Sequence, residues 1–172
     1  MGLDMYLYAR KFNSSFRKGS LEIKYPCELQ GFENLMKDSE ESLVIKTDYK
    51  IGYWRKFNAL HHFIVKHFNE GKDDCKPIWL NDNAIDYILD TLKKVKKSFE
   101  NANIIEQKED YIIYDNPIAQ QLLPTKEGYF FGDLRYDSNY LDDLNNAIYT
   151  FEMVSKLSIK EPYYDFYYQA SW

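Results

Sequence analysis

The sequence predicts an α+β fold in a single domain over 1–172: a mixed or antiparallel sheet that contains both terminal strands, with about three helices packed largely on one side. Two patterns predict it. Residues near both ends alternate apolar and polar side chains with the period of a strand, and three stretches between them repeat apolar residues every three or four positions, the period of a helix that lays one face on a core. Length agrees, since a chain of 172 residues buries about two thirds of its surface without disulfide or metal staples.

In chain order, Leu3, Met5, Leu7 and Ala9 alternate with Asp4, Tyr6, Tyr8 and Arg10, which predicts a strand almost from the first residue. Residues 12–40 carry Asn, Ser, Gly, Lys and Pro with weak periodicity and read as a long, variable excursion, with a short strand at 21–25 and a short helix at 28–37. A strand is expected over 41–47, centred on Leu43, Val44 and Ile45, with Thr47 or Asp48 capping the next helix. That helix is placed at 54–68 on Phe57, Leu60, Ile64 and Phe68. A polar loop follows over 69–77, then a short extended link through Ile78, Trp79 and Leu80.

The clearest helix spans 82–99. Its apolar face is Ile85, Ile88, Leu89, Leu92, Val95 and Phe99, with Asn81 or Asp82 as cap. Acids come early in it and lysines late, the order that complements the helix dipole. Tyr111 to Tyr114 suggests a strand or buried link, Ala119 to Leu123 one helical turn, and three aromatics between Gly128 and Gly132 another strand. Asp137 or Ser138 caps a third helix to about Leu157, with Leu141, Leu144, Ile148, Phe151 and Val154 inward and Asp142, Asp143, Asn145 and Asn146 outward. From Tyr163 to Trp172 the chain alternates again, placing Tyr164, Phe166, Tyr168, Ala170 and Trp172 on one face.

Composition narrows the function. A net charge of −5 argues against general nucleic-acid binding, because phosphate affinity comes chiefly from Lys and Arg. Cys27 and Cys75 stand far apart without a zinc-knuckle spacing, so they are expected to be free thiols in a reducing compartment. No apolar run reaches 18 residues and no signal peptide is evident, which points to a cytoplasmic protein with no membrane partner. The sixteen Tyr and eleven Phe fit a coding sequence biased toward such residues, and they also suit recognition.

The stretch Gly52-Tyr53-Trp54-Arg55-Lys56-Phe57-Asn58-Ala59-Leu60-His61-His62 concentrates the chemically versatile side chains. On a helix begun at Trp54, the residues Trp54, Asn58, His61 and Val65 share a row at the edge of the core. Trp stacks on planar groups, Asn donates and accepts, Arg forks onto anions and His titrates near neutrality. The candidate ligand-binding residues are therefore Trp54, Arg55, Asn58 and His61, joined by Asp4 from the first strand. The opposing expectation is structural: Trp54 capping the core, Asn58 bonded to a nearby backbone and His61 satisfied by a carboxylate. The three histidines point three ways and cannot share a metal, and neither metal nor cofactor is expected.

Four blocks extend over the whole chain: Met1-Gly2-Leu3-Asp4-Met5-Tyr6-Leu7, then Gly52 to His61, then Leu123-Pro124-Thr125 with Gly128-Tyr129-Phe130-Phe131-Gly132, and last Tyr167-Tyr168-Gln169-Ala170-Ser171-Trp172. Together they resemble a family of small uncharacterised proteins encoded by phages and prophages. The chain departs from that pattern at Ala170, where a second serine is expected before the final Trp, and residues 12–40 carry no part of the resemblance. The resemblance implies an accessory protein acting in the cytoplasm of an infected bacterium, and it transfers no catalytic residue.

The expected function is binding without turnover. The partner is a nucleotide-like small-molecule signal or a host defence protein, and self-association into a homo-oligomer stays open. The alternative is a small hydrolase or phosphodiesterase with His61 as acid or base, oriented by Asp4, Asp74 or Asp133, with Asp73 also near the histidines in sequence. No P-loop, nucleophile elbow or metalloprotease helix accompanies it.

Overall fold

The computed structural model describes residues 2–12, 46–109, 111–127 and 134–172. The strand and helix expected within 12–40, the run Leu43-Val44-Ile45, Cys27, Asp133 and the aromatic stretch between Gly128 and Gly132 lie outside the described residues. What is described is α+β. The chain runs β1 (Asp4–Phe12), β2 (Lys46–Arg55), α1 (Asn58–Phe68), β3 (Ile78–Leu80), α2 (Asp82–Ser98), β4 (Asn103–Gln107), β5 (Ile112–Asp115), α3 (Pro117–Leu122), α4 (Ser138–Lys160) and β6 (Tyr164–Ser171).

Four strands form one antiparallel sheet in the order β2-β1-β6-β3, so the strands from the two ends of the sequence lie side by side at its centre. The alternation in each decides its faces. Met5, Leu7 and Ala9 from β1 and Phe166, Tyr168 and Ala170 from β6 are buried, and they form a core with Leu60 and Ile64 of α1, Ile85, Ile88 and Leu92 of α2, and Leu144, Phe151 and Val154 of α4. The opposite face carries Tyr6, Tyr8, Arg10, Tyr53 and Tyr167. There Tyr6 lies 5.4 Å from Tyr53, and the Arg10 guanidinium sits 4.2 Å over the Tyr167 ring. Arg10 also holds Asp48 across the β1–β2 pair at 2.6 and 2.9 Å, and this fork keeps the carboxyl below its ordinary range.

The sequence places the first helix too early. Thr47 and Asp48 pair with β1 instead of capping a helix, and β2 continues through Trp54 to Arg55. The reason is cross-strand pairing: Trp54 opposes Met5 and is buried in the sheet's inner layer, its indole stacked on Phe151 with centroids 6.0 Å apart. Gly52 makes room for that indole. A Cβ there would stand 2.9 Å from both Thr150 Cγ2 and Trp54 Cη2, which explains a glycine in a strand interior.

The other elements follow the sequence closely. Asn81 caps α2 by accepting from the Ala84 amide at 2.8 Å, and Asp137 caps α4 by accepting from the Tyr140 amide at 3.1 Å. α4 runs three residues past its expected end, to Lys160. The link around Tyr111 is one arm of a two-stranded hairpin, β4–β5. Asn116 caps α3 and Pro117 occupies its first turn.

Candidate functional site

The turn from β2 into α1 is the most constrained backbone near the expected site. Lys56 takes φ +65, a left-handed conformation that a residue with a side chain adopts only when its surroundings impose it. Two hydrogen bonds impose it here: the Lys56 amide donates to the Leu3 carbonyl at 2.9 Å, and its own carbonyl accepts from the Asn58 amide at 2.8 Å. Arg55, Lys56 and Phe57 are thereby presented at the first turn of α1. No side chain caps that helix, so its N-terminal amides contribute positive potential at this corner.

Facing the corner is the segment before α4. Asn58 Nδ2 donates to the Lys126 carbonyl at 3.0 Å. The Tyr136 hydroxyl accepts from the Thr125 amide at 3.2 Å, Thr125 Oγ1 donates to the Leu134 carbonyl at 3.0 Å, and the Tyr140 hydroxyl donates to the Leu123 carbonyl at 2.9 Å. These bonds fix the wall of a cleft of about 270 Å³ between the β2–α1 corner and the start of α4. Arg55, Lys56, Lys126 and Arg135 line it, with Asn139 and Asp143 from α4 and Asp137 at its base. Four cations and two helix N-termini thus surround one hollow, the arrangement that binds anions. Asp143, expected to face outward, lines the cleft instead. Burial, followed by the nearby Asp142 and Asp137 carboxylates, pushes its carboxyl up to about 6.

The five residues expected to share one ligand wall divide among four places. Arg55 and Asn58 belong to the cleft. Trp54 belongs to the core: it is on a strand, so it does not share a helix row with Asn58 and His61, and its buried indole N–H makes no hydrogen bond among the described residues. Asp4 lies on the sheet's other face, accepting from the Tyr53 hydroxyl at 2.6 Å and standing 4.0 Å from Arg55 Nε. The bond to Asp4 pushes the Tyr53 hydroxyl up.

His61 belongs to a separate polar cluster. Its Nδ1 is 2.8 Å from the Tyr168 hydroxyl and its Nε2 is 2.9 Å from Asp73 Oδ2. Neutral imidazole fits both contacts, with the tyrosine donating to Nδ1 and Nε2–H donating to the carboxylate. Tyr168 is fully buried, and burial followed by Asp73 holds its hydroxyl well above the ordinary range. The cluster pins the 69–77 loop to the sheet, as does Gln169, whose side-chain amide donates to the Cys75 carbonyl at 2.9 Å. Of the carboxylates considered for His61, Asp73 reaches it, while Asp74 pairs with Lys76 at 2.9 Å. His67 packs against Phe63, with rings 4.5 Å apart. Among the described residues no group of three His, Cys, Asp or Glu could hold a metal ion. Cys75 is a free thiol, and no helix there is long and apolar enough to cross a membrane.

Lys126, Arg135, Asn139 and Asp143 were not legible as site residues. They lie roughly 70 to 90 positions after Arg55, and only the fold brings them to it. Comparison of the chain with protein-family models, with curated proteins and with solved structures gives no match.

Proposed function

We propose that the protein binds a nucleotide-like small molecule by its phosphate, without turning it over, in the cleft between the β2–α1 corner and α4. The observation that carries this reading is the convergence of Arg55, Lys56, Lys126 and Arg135 with the first turns of two helices on one hollow. Among the described residues no histidine, cysteine or serine lines the cleft, and the histidine with a carboxylate partner has both ring nitrogens engaged in a different place. Its volume of about 270 Å³ lies just below the roughly 300–1,000 Å³ usual for small-ligand pockets. The resemblance to phage-encoded proteins supports the context: an accessory protein that sequesters a signal in the cytoplasm of an infected bacterium.

The test is to purify the protein from a bacterial lysate, denature it and identify the released small molecules by mass spectrometry, alongside the double variant Arg55→Gln, Lys126→Gln. A phosphate-bearing species released by the wild type and lost from the variant supports the reading. Its recovery in chemically altered form after incubation would replace binding by catalysis. Wild-type protein that releases nothing and shows no affinity for added phosphate or nucleotide defeats it.

A second reading places a host defence protein on the face of the sheet that carries no helix among the described residues. There Tyr6, Tyr8, Tyr53 and Tyr167 are interleaved with Arg10 and Lys50, and of these residue types tyrosine and arginine are enriched at protein interfaces. Co-purification of a host protein that survives the cleft substitutions and is lost in Tyr53→Ala would favour this face over the cleft.

A further inference from the structure

The cleft is not uniformly basic. The β2–α1 corner and the segments flanking α4 supply its cations, while α4 itself supplies Asn139 and Asp143. These two are four residues apart on one helix and therefore stand on the same face, about 5–6 Å apart at Cβ. Among the described residues neither makes a hydrogen bond or ion pair, whereas Asp137 beside them is engaged as the cap of α4. An amide and a carboxylate thus face the same hollow as the cations, with their hydrogen-bonding capacity uncommitted.

We infer that Asn139 and Asp143 read the base of the bound nucleotide and select guanine over adenine. This rests on the phosphate-binding role proposed above. An ionised carboxylate only accepts hydrogen bonds, and a carboxamide can donate. Guanine presents the matching edge, with O6 as acceptor beside the N1–H and N2–H donors: Asn139 donates to O6, and the two Asp143 oxygens accept from N1 and N2. Adenine presents an acceptor, N1, where guanine presents a donor, and sets a lone pair against the carboxylate. Selection therefore has an attractive and a repulsive part. The half-buried Asp143, pushed up to about 6, is ionised at pH 7.5 and mostly protonated at pH 5, so the preference for guanine depends on pH.

The experiment is calorimetric titration of the full chain with GMP, AMP and inorganic phosphate at about pH 7.5 and about pH 5. At the higher pH, GMP is expected to bind at least about ten-fold tighter than AMP. Asp143→Asn and Asn139→Ala each bring the two nucleotides to within about two-fold of one another, and so does lowering the pH for the wild type. Circular dichroism confirms that each variant is folded, and Asp143→Glu, which keeps the carboxylate, retains part of the preference. If GMP and AMP bind the wild type equally, or AMP binds tighter, guanine selection is overturned and phosphate binding stands. Should neither phosphate nor any nucleotide bind, the phosphate reading and the inference built on it fall together.

Discussion

Two polar groups of residues hang from one helix. At the corner that leads into it Arg55, Lys56 and Asn58 open onto a cleft, and three residues past Asn58 His61 closes onto Tyr168 and Asp73. The second group looks more like an active site, because an acid, an imidazole and a hydroxyl lie in hydrogen-bonding order. Yet its hydroxyl is fully buried and both imidazole nitrogens are taken up within the cluster. The first group has no such order: four cations, the carboxylates of Asp137 and Asp143 and the amides of Asn58 and Asn139 stand around open space. Mutual satisfaction marks a structural cluster, whereas polar side chains set around a hollow leave room for a ligand.

The comparison breaks most readily at Trp54, which joins the sequence motif to the core. Trp54→Ala removes a buried ring stacked on Phe151 and is expected to cost about 3–5 kcal/mol of unfolding free energy. Trp54→Phe is expected to cost far less, since it also removes a buried N–H that has no partner among the described residues. Chemical denaturation measures both. A change near zero for the alanine variant would return Trp54 to a ligand wall.

His61→Ala ranks next. It leaves the buried Tyr168 hydroxyl without its imidazole partner and releases the loop that carries Asp73, at an expected cost of about 2–3 kcal/mol. Phosphate affinity is expected to stay unchanged, because His61 does not line the cleft. A stable variant that lost ligand would merge the two groups into one site.

How much of this was legible depended on whether partners were local. The strands from both ends of the chain, the face each buries and the Asn81 and Asp137 caps follow from alternation and from side chains acting within a few residues. The boundary at Trp54 did not. Its spacing to Phe57 and Leu60 suits a helix, and the competing preference comes from pairing with Met5, which periodicity along one segment does not register. The pairing of His61 with a carboxylate was legible as a type of contact. The cleft was legible in half: Arg55 and Asn58 lie in the motif, whereas Lys126, Arg135 and Asp143 arrive through packing of α4. Asp143 reads as outward by helical period because Leu144 and Ala147 take the core-facing positions, and what half-buries it is the neighbouring corner.

Asp143 also sharpens the comparison through pH. Its folded value of about 6 exceeds the ordinary 3.8, so the folded protein holds this proton more tightly than the unfolded chain does. Its contribution to stability is therefore fully favourable below about 4 and is lost as pH rises through 6. Asp143→Asn is expected to stabilise the protein at pH 7.5 by about 1 kcal/mol once solvent screening of this half-exposed group is allowed for, roughly 2–4 °C in Tm. The difference between variant and wild type should vanish near pH 4. Using the difference removes the opposite contribution of Asp48, whose fork from Arg10 stabilises above the ordinary carboxylate value and fades in acid.

The smallest effect on stability tests the largest claim about function. Lys126 accepts at its backbone carbonyl from Asn58 Nδ2 and places its side chain at the cleft, so Lys126→Gln keeps the structural contact and removes only the charge. Unfolding free energy is expected to move by no more than about 0.5 kcal/mol, as for most surface substitutions, while phosphate binds about ten-fold more weakly, the loss of one charged hydrogen bond. The substitution also removes a positive neighbour of His62, whose imidazole burial and then Lys126 push down. The His62 value should therefore rise, and an NMR titration of that ring reports the loss of charge independently of any ligand. Weaker phosphate binding with a shifted His62 and unchanged stability is the signature of a charge held for a ligand. Equal losses in stability and binding would instead make the cations part of the scaffold, and the two groups would no longer differ in kind.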